Sequence, residues 1–87
     1  MIRILAAAYP NGHRWIKLAR VDGDPEAIRN RIRHVQEQYL PNADSQGGVY
    51  ETLADAKSAL MRNYGIGWFN LARGQLRRLE EAERGKM

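Results

Sequence analysis

The chain has 87 residues, no cysteine and a formal net charge of +4. A chain this short forms one domain with a small core, and without cysteine it can form neither disulfides nor thiolate metal sites. No apolar run approaches the roughly 18 residues that cross a bilayer. We therefore expect a single α+β domain over residues 1–87 that lies in the cytoplasm and has no membrane partner.

The N-terminal residues 1–21 predict a β-hairpin. Two apolar, strand-like runs flank Asn11 and Gly12, and this dipeptide suits a two-residue type I′ turn because both residues tolerate positive φ. In the register that this turn sets, Tyr9 pairs with Arg14. We expect a short third strand to join the hairpin and two or three helices to pack against the sheet.

The positive charge is concentrated in this hairpin. Residues 1–21 contain four basic side chains and no carboxylate, whereas the rest of the chain contains ten side chains of each sign. The expected register places Arg3, Arg14 and Arg20 on one exposed face and leaves an alanine-lined face for the core. An exposed basic face is suited to an anionic partner. Three alternatives stay open: charges that only keep the strands soluble, a sheet covered on both faces, and a bulge that shifts the register.

A first helix and a third strand are expected next. Asp24 and Pro25 are typical of a helix N-terminus, and apolar residues three and four positions apart predict an amphipathic helix. That apolar stripe consists of Ile28, Ile32, Val35 and Tyr39. The helix should end near Leu40, because a proline follows. The polar and glycine-rich residues 41–48 predict a loop, which leaves residues 49–51 as a short strand.

A second helix is expected to begin at Thr52, which forms a capping-box-like pair with Asp55, and to end at Gly65. Residues 66–73 fit either a helix or a strand. We favour the helix, because the apolar stripe continues to Leu79. In the C-terminal helix, pairs of opposite charge four residues apart are expected to neutralise one another. These pairs are Arg77 with Glu81 and Glu80 with Arg84.

The residues give little support for an enzyme. The two histidines are His13 in the hairpin turn and His34 on the first helix, and no other side chains stand at the spacing of a metal site. A small ribonuclease, with these histidines as acid and base and Arg14 on the phosphate, stays an alternative because histidines titrate near neutrality. We therefore expect a non-enzymatic protein without metal, cofactor or catalytic residues.

The expected function is binding through the basic hairpin and the first helix. The set of partner-binding residues combines basic and aromatic side chains and consists of Arg3, Tyr9, Arg14, Trp15, Lys17, Arg20, Arg29 and Arg33. Eleven of the fourteen basic residues are arginine, and protein interfaces favour arginine over lysine, so a protein partner is expected first. Direct DNA or RNA binding, with Trp15 or Tyr9 stacked on a base, is the alternative. A homo-oligomer also stays open, since association would enlarge the small core.

In size and in its lack of catalytic groups, the chain resembles the small phage and mobile-element proteins that inhibit host machinery, including anti-CRISPR proteins. That resemblance implies a partner that is a protein or nucleoprotein complex of nucleic-acid machinery. The carboxylates are too few and too scattered for mimicry of DNA. Such an inhibitor would instead block a site on its partner with the arginine-rich face.

Overall fold

The computed structural model describes residues 1–85. These residues form an antiparallel sheet with helices on it, so the predicted α+β fold and the order of its elements are confirmed. The elements are β1 (Ile2–Ala8), β2 (Arg14–Arg20), α1 (Pro25–Tyr39), β3 (Asp44–Tyr50), α2 (Leu53–Ala59), a π-helical turn (Leu60–Tyr64) and α3 (Ile66–Gly85). Within the described residues, no helix is both long and apolar enough to span a membrane.

The sheet lies between two helical layers. Its strand order is β2-β1-β3, and β1 pairs antiparallel with both neighbours. On one face, Ile4 packs in a buried cluster with Leu60 and Leu76 beneath α2 and α3. On the other face, Leu5 packs in a second cluster with Ile32 of α1. The expectation of one covered and one exposed face is therefore wrong, because α1 covers the face that was assigned to solvent.

The hairpin forms as predicted, but its connection is one residue longer. The Gly12 N–H donates to the Tyr9 carbonyl at 2.9 Å, and the Tyr9 N–H donates to the His13 carbonyl at 2.8 Å. Pro10 suits the first central position of a type I turn, and Gly12, with a φ of 90°, takes the left-handed position that follows it. Three residues therefore separate Tyr9 from His13, where the sequence analysis expected a two-residue turn.

The longer connection shifts the strand register by one residue. β1 pairs Ala8 with Arg14 and Ile2 with Arg20, whereas the expected pairs were Tyr9 with Arg14 and Arg3 with Arg20. A shift of one residue moves side chains to the opposite face of the sheet. The predicted grouping of the hairpin arginines on one face is therefore wrong.

Helix α1 begins and ends where the sequence predicts. Asp24 accepts a hydrogen bond from the Ala27 N–H at 3.2 Å and so satisfies one of the free amides of the first turn. Ile32 is buried at the centre of the apolar stripe, but Tyr39 at its end is 71% exposed. Leu40, just past the helix, is buried instead. The residue that caps the helix therefore takes the place in the core that the stripe had assigned to Tyr39.

Strand β3 is longer than predicted. It spans Asp44–Tyr50, so most of the expected loop is strand. An ideal Cβ at Gly47 would lie 2.5 Å from Ile32 Cγ2 and 3.4 Å from the Ile4 carbonyl oxygen, so glycine here lets α1 approach the sheet closely. The same small and polar residues removed the apolar alternation that marks a strand in a sequence. Pairing with β1, and not local propensity, therefore determines β3.

The second half of the chain follows the predicted helices. Thr52 caps α2 by accepting a hydrogen bond from the Asp55 N–H at 3.1 Å. The helix continues into the π-helical turn, and Gly65, with a φ of 106°, follows that turn as its cap. Helix α3 then begins at Ile66, so the helical interpretation of residues 66–73 is confirmed.

Tyr64 ends the π-helical turn and lies half-buried against the cluster beneath α2 and α3. Burial and, after it, the neighbouring Tyr50 raise the pKa of the Tyr64 hydroxyl well above its ordinary value of 10.0. The phenol is therefore neutral at physiological pH. Because Tyr50 is the last residue of β3, this contact joins the end of the edge strand to the helical layer.

The carboxylates of α3 pair with other elements. Glu83 accepts a hydrogen bond from Arg20 of β2 at 2.8 Å, and Glu80 accepts one from Lys57 of α2 at 3.4 Å. These are the ion pairs found in residues 1–85. The prediction of ion pairs within α3, Arg77 with Glu81 and Glu80 with Arg84, is therefore wrong. For Glu80 the reason is tertiary, because α3 lies against α2 and Lys57 binds this carboxylate. Glu81 forms no ion pair in residues 1–85.

Candidate binding surface

The basic residues of the hairpin lie on two different faces of the sheet. Arg14 and Arg20 share the face beneath α3 with Ile2, whereas Arg3 and Lys17 share the face beneath α1 with Leu5. The strands alternate their side chains between these faces. The hairpin therefore does not offer the single arginine face that its sequence predicted.

Arg14 and Arg20 both contact α3. The Arg14 guanidinium carbon lies 5.4 Å from the centre of the Trp68 ring, a distance at which a cation and an aromatic face attract one another. Arg20 is held by Glu83. A partner that used these two arginines would have to compete with contacts inside the molecule.

The remaining hairpin residues of the predicted set lie on the α1 side. Tyr9 and Trp15 are half-buried and pack against the cluster beneath α1, so only part of each ring is open to a base or a partner. Arg3 is half-buried as well, and its Nε atom is buried without a hydrogen-bond partner in the described residues. Lys17 is exposed. These four residues therefore differ too much in exposure to form one continuous contact surface.

Arg29 and Arg33 of α1 line a groove beside β3. We call it the α1–β3 groove; it encloses about 230 Å³ and is lined by Arg29, Ile32, Arg33, Gln36, Gly47 and Gly48. Both arginines are exposed, and in residues 1–85 neither forms an ion pair. No carboxylate of the described chain lines the groove. Free guanidinium groups in such a setting favour an anionic ligand.

The hydrogen-bond pattern of the sheet shows which backbone groups point outward at its two edges. The Tyr9 N–H bonds to His13 and the Val21 N–H bonds to Met1, so the odd-numbered residues of β1 bond toward β2. Because antiparallel bonding alternates, the even-numbered residues of β1 bond toward β3. With the observed register, the outward-facing residues of β2 include Ile16 and Leu18, and those of β3 are Ser45, Gly47 and Val49.

The two edges differ in what covers them. On β2, the Gln75 side chain of α3 accepts from the Leu18 N–H at 2.8 Å and donates to the Ile16 carbonyl at 2.7 Å. On β3, no hydrogen bond within residues 1–85 reaches the outward groups. We call this second edge the open edge of β3, defined by Ser45, Gly47 and Val49.

The histidines lie on separate elements. The His13 ring is 6.0 Å from the Tyr9 ring at the hairpin turn, and the His34 ring is 6.5 Å from the Tyr39 ring on α1. Each histidine ring packs near a tyrosine, and neither contact joins His13 to His34 or to Arg14. The geometry therefore adds no support for the ribonuclease alternative. In the part of the chain that the structure describes, no cluster of three or more His, Asp or Glu residues could hold a metal ion.

The fold and the groove define an α+β domain with a basic groove beside an open strand edge. Comparison of the chain with family models, with curated proteins and with solved structures found no match. The function of the surface is therefore inferred from the positions, exposure and charge of its own residues.

Gly47 and Gln75 were missed by the sequence analysis, although each left a signal. A Gly-Gly pair directly precedes Val49, and glycine beside a strand often marks close approach of another backbone or helix. Gln75 is a polar residue next to the apolar positions Ala72 and Leu76 of an amphipathic helix, where it has to find a hydrogen-bond partner. Neither signal by itself tells which strand is involved.

Proposed function

We propose that the protein is a non-enzymatic binding protein that docks onto a protein partner through the α1–β3 groove. The observation that carries this proposal is the pair Arg29 and Arg33, exposed and without ion pairs in residues 1–85, beside a strand edge that nothing in the same residues covers. Arginine presents a planar set of donors that fits carboxylates. Of the predicted binding residues, these two stand at the centre of the proposed surface.

The partner we propose is a component of nucleic-acid machinery that the protein inhibits, as the class that the chain resembles would do. The support is the size of the chain and its basic groove, which could cover an acidic site on such a component. Inhibition would follow from occupation of that site, with carboxylates of the partner bound by Arg29 and Arg33. No catalytic group is needed for this mechanism.

Direct binding of DNA or RNA is the second candidate. It is favoured by Arg29 and Arg33, which are exposed one helical turn apart on α1, because phosphates bind closely spaced guanidinium groups. This alternative predicts a retarded band with arbitrary DNA or RNA that disappears steeply between low and physiological salt. A protein partner predicts no such band.

A pull-down from a host lysate, with and without nuclease, separates the two candidates. The wild-type protein is expected to retain a defined protein after nuclease treatment, and the double variant Arg29→Glu/Arg33→Glu is expected to lose it. The matched control is Arg77→Glu/Arg78→Glu, which makes the same change of charge at exposed positions of α3 and should retain the protein. Loss of the protein after nuclease treatment alone would favour the nucleic-acid candidate, and retention by the first variant would contradict the groove as the site.

A further inference from the structure

We infer that the open edge of β3 binds an extended, acidic segment of the partner as a fourth strand of the sheet. This inference rests on the proposed function and specifies the form in which the partner meets the α1–β3 groove. It follows from three features of the described residues: the state of the two sheet edges, the chemistry of the exposed backbone and the position of the arginines.

The open edge has the hydrogen-bonding groups that a further strand requires. Ser45, Gly47 and Val49 each present an N–H and a C=O outward, and successive outward residues are about 7 Å apart along a strand. An edge of this kind is a template for pairing with another chain. The β2 edge is obstructed at Ile16 and Leu18, because the Gln75 side chain already bonds to the Leu18 N–H and the Ile16 carbonyl.

The alternation of donors and acceptors favours a peptide over a nucleic acid. A phosphate oxygen accepts hydrogen bonds from N–H groups but offers none to a carbonyl. The phosphate backbone of a nucleic acid laid along this edge would therefore leave the carbonyls of Ser45, Gly47 and Val49 unpaired. An extended peptide offers both kinds of group at the matching spacing and can satisfy the whole edge.

The arginines favour acidic side chains on the added strand. Arg29 and Arg33 are one helical turn apart, which places their side chains about 6 Å from each other. Alternate side chains of an extended strand, which point to the same face, are about 7 Å apart. Two carboxylates at alternate positions of the added strand therefore match the two guanidinium groups in spacing and in charge.

A second copy of the chain fits the edge less well. Pairing of two β3 strands about a twofold axis would bring Arg29 and Arg33 of both copies to one seam. No carboxylate of the described chain lines the α1–β3 groove to compensate them, and like charges at close range oppose association. The charge on this edge therefore selects a partner of opposite sign.

The test is selection of short random peptides, displayed on phage, on the full-length wild-type protein. We expect enriched peptides with Asp or Glu at alternate positions. A synthetic copy of an enriched peptide should slow hydrogen exchange at the amides of Ser45, Gly47 and Val49. Failure to enrich any peptide, or enrichment of peptides without carboxylates, would overturn the inference.

Two protein variants and a modified peptide test the geometry. Ser45→Pro removes one outward N–H and should weaken binding of the peptide about tenfold, whereas Ser45→Ala keeps that N–H and should bind normally. Two N-methylated peptides, one methylated at the odd-numbered residues and one at the even-numbered residues, test edge pairing even if Ser45→Pro does not fold. The peptide whose methylated nitrogens face the edge should fail to bind, whereas the other should bind. Normal binding by both peptides would contradict pairing with the edge.

The inference and the proposed function fail in different ways. If Ser45→Pro is folded and still retains the protein captured from lysate, while Arg29→Glu/Arg33→Glu loses it, the groove is the docking site but no strand is added. If Arg29→Glu/Arg33→Glu also retains the captured protein, the proposed site is wrong, and the inference that rests on it is overturned as well.

Discussion

The two edges of the sheet show how one small protein can treat equivalent backbone groups in opposite ways. At β2, Gln75 of α3 takes one outward N–H and one outward C=O, as a neighbouring strand would. At β3, the outward groups of Ser45, Gly47 and Val49 have no partner within residues 1–85, and Arg29 and Arg33 lie beside them. Uncovered edges are usually protected against pairing. Here the β2 edge is covered, whereas the β3 edge lies beside arginines that form no ion pair in residues 1–85. The proposed binding site at β3 is based on this difference.

The largest predicted effect on stability comes from a substitution at Gly47, where α1 approaches β3 closely. In Gly47→Val, the new side chain would meet Ile32 and the Ile4 carbonyl, since even a Cβ would lie 2.5 Å from Ile32 Cγ2. Overpacking of this kind is expected to lower the free energy of unfolding by about 3 kcal/mol. Denaturation in urea measures the loss. Gly74→Ala is the control, because a Cβ there meets nothing within 4 Å and should stabilise α3. A Gly47→Val protein as stable as wild type would contradict the close approach of α1 to β3.

Removal of the cover from the β2 edge gives the next largest effect. Gln75→Ala deletes both hydrogen bonds to the edge and should lower the free energy of unfolding by about 2 kcal/mol. The Leu18 amide should then exchange faster with solvent. The matched control is Gln38→Ala at an exposed position of α1, which should change stability little. If both variants were equally stable, Gln75 would not be what closes this edge.

High pH should loosen the end of β3. Because the pKa of Tyr64 is raised in the folded protein, folding favours the protonated phenol, and this contribution is fully present below the ordinary pKa of 10.0. It is lost as the pH rises above that value, since the unfolded chain then gains by ionisation while the folded chain does not. Tyr64→Phe should therefore show a smaller fall in stability above pH 10 than wild type. Thermal unfolding at a series of alkaline pH values measures the difference, and parallel curves would contradict the burial of this hydroxyl.

The ion pair between Arg20 and Glu83 gives the smallest predicted effect. Both side chains are partly exposed, at 35% and 46%, so solvent screens their attraction. A double-mutant cycle of Arg20→Ala and Glu83→Ala should give a coupling of about 0.5 kcal/mol. A much larger coupling would mean that charge, rather than Gln75 and the apolar core, fastens α3 to β2.

The sequence predicted the elements whose signals are local. Asp24 and Thr52 cap α1 and α2 as expected, because a cap depends on residues within one turn of the helix. The hairpin was also predicted, but its register depended on whether Pro10 joined the turn, and the shift of one residue moved Arg14 and Arg20 to the other face. Local patterns cannot resolve that choice, since both turns place a glycine in a left-handed conformation.

The candidate site was only partly predictable for a related reason. Arg29 and Arg33 could be placed on a helix from periodicity, but the strand beside them could not. Gly47 is in a strand because β1 pairs with it and α1 lies over it, and both contacts join residues far apart in the chain. The open edge is therefore a property of the assembled sheet, not of the segment that forms it.

Amide hydrogen exchange at Leu18 and Gly47 tests the central claim most directly. The account predicts that the Leu18 amide, bound by Gln75, exchanges slowly in the free protein, that the Gly47 amide exchanges fast, and that Gly47 becomes slow when the partner segment binds. A Gly47 amide that is already as slow as Leu18 in the free protein, or that stays fast in the complex, would contradict it.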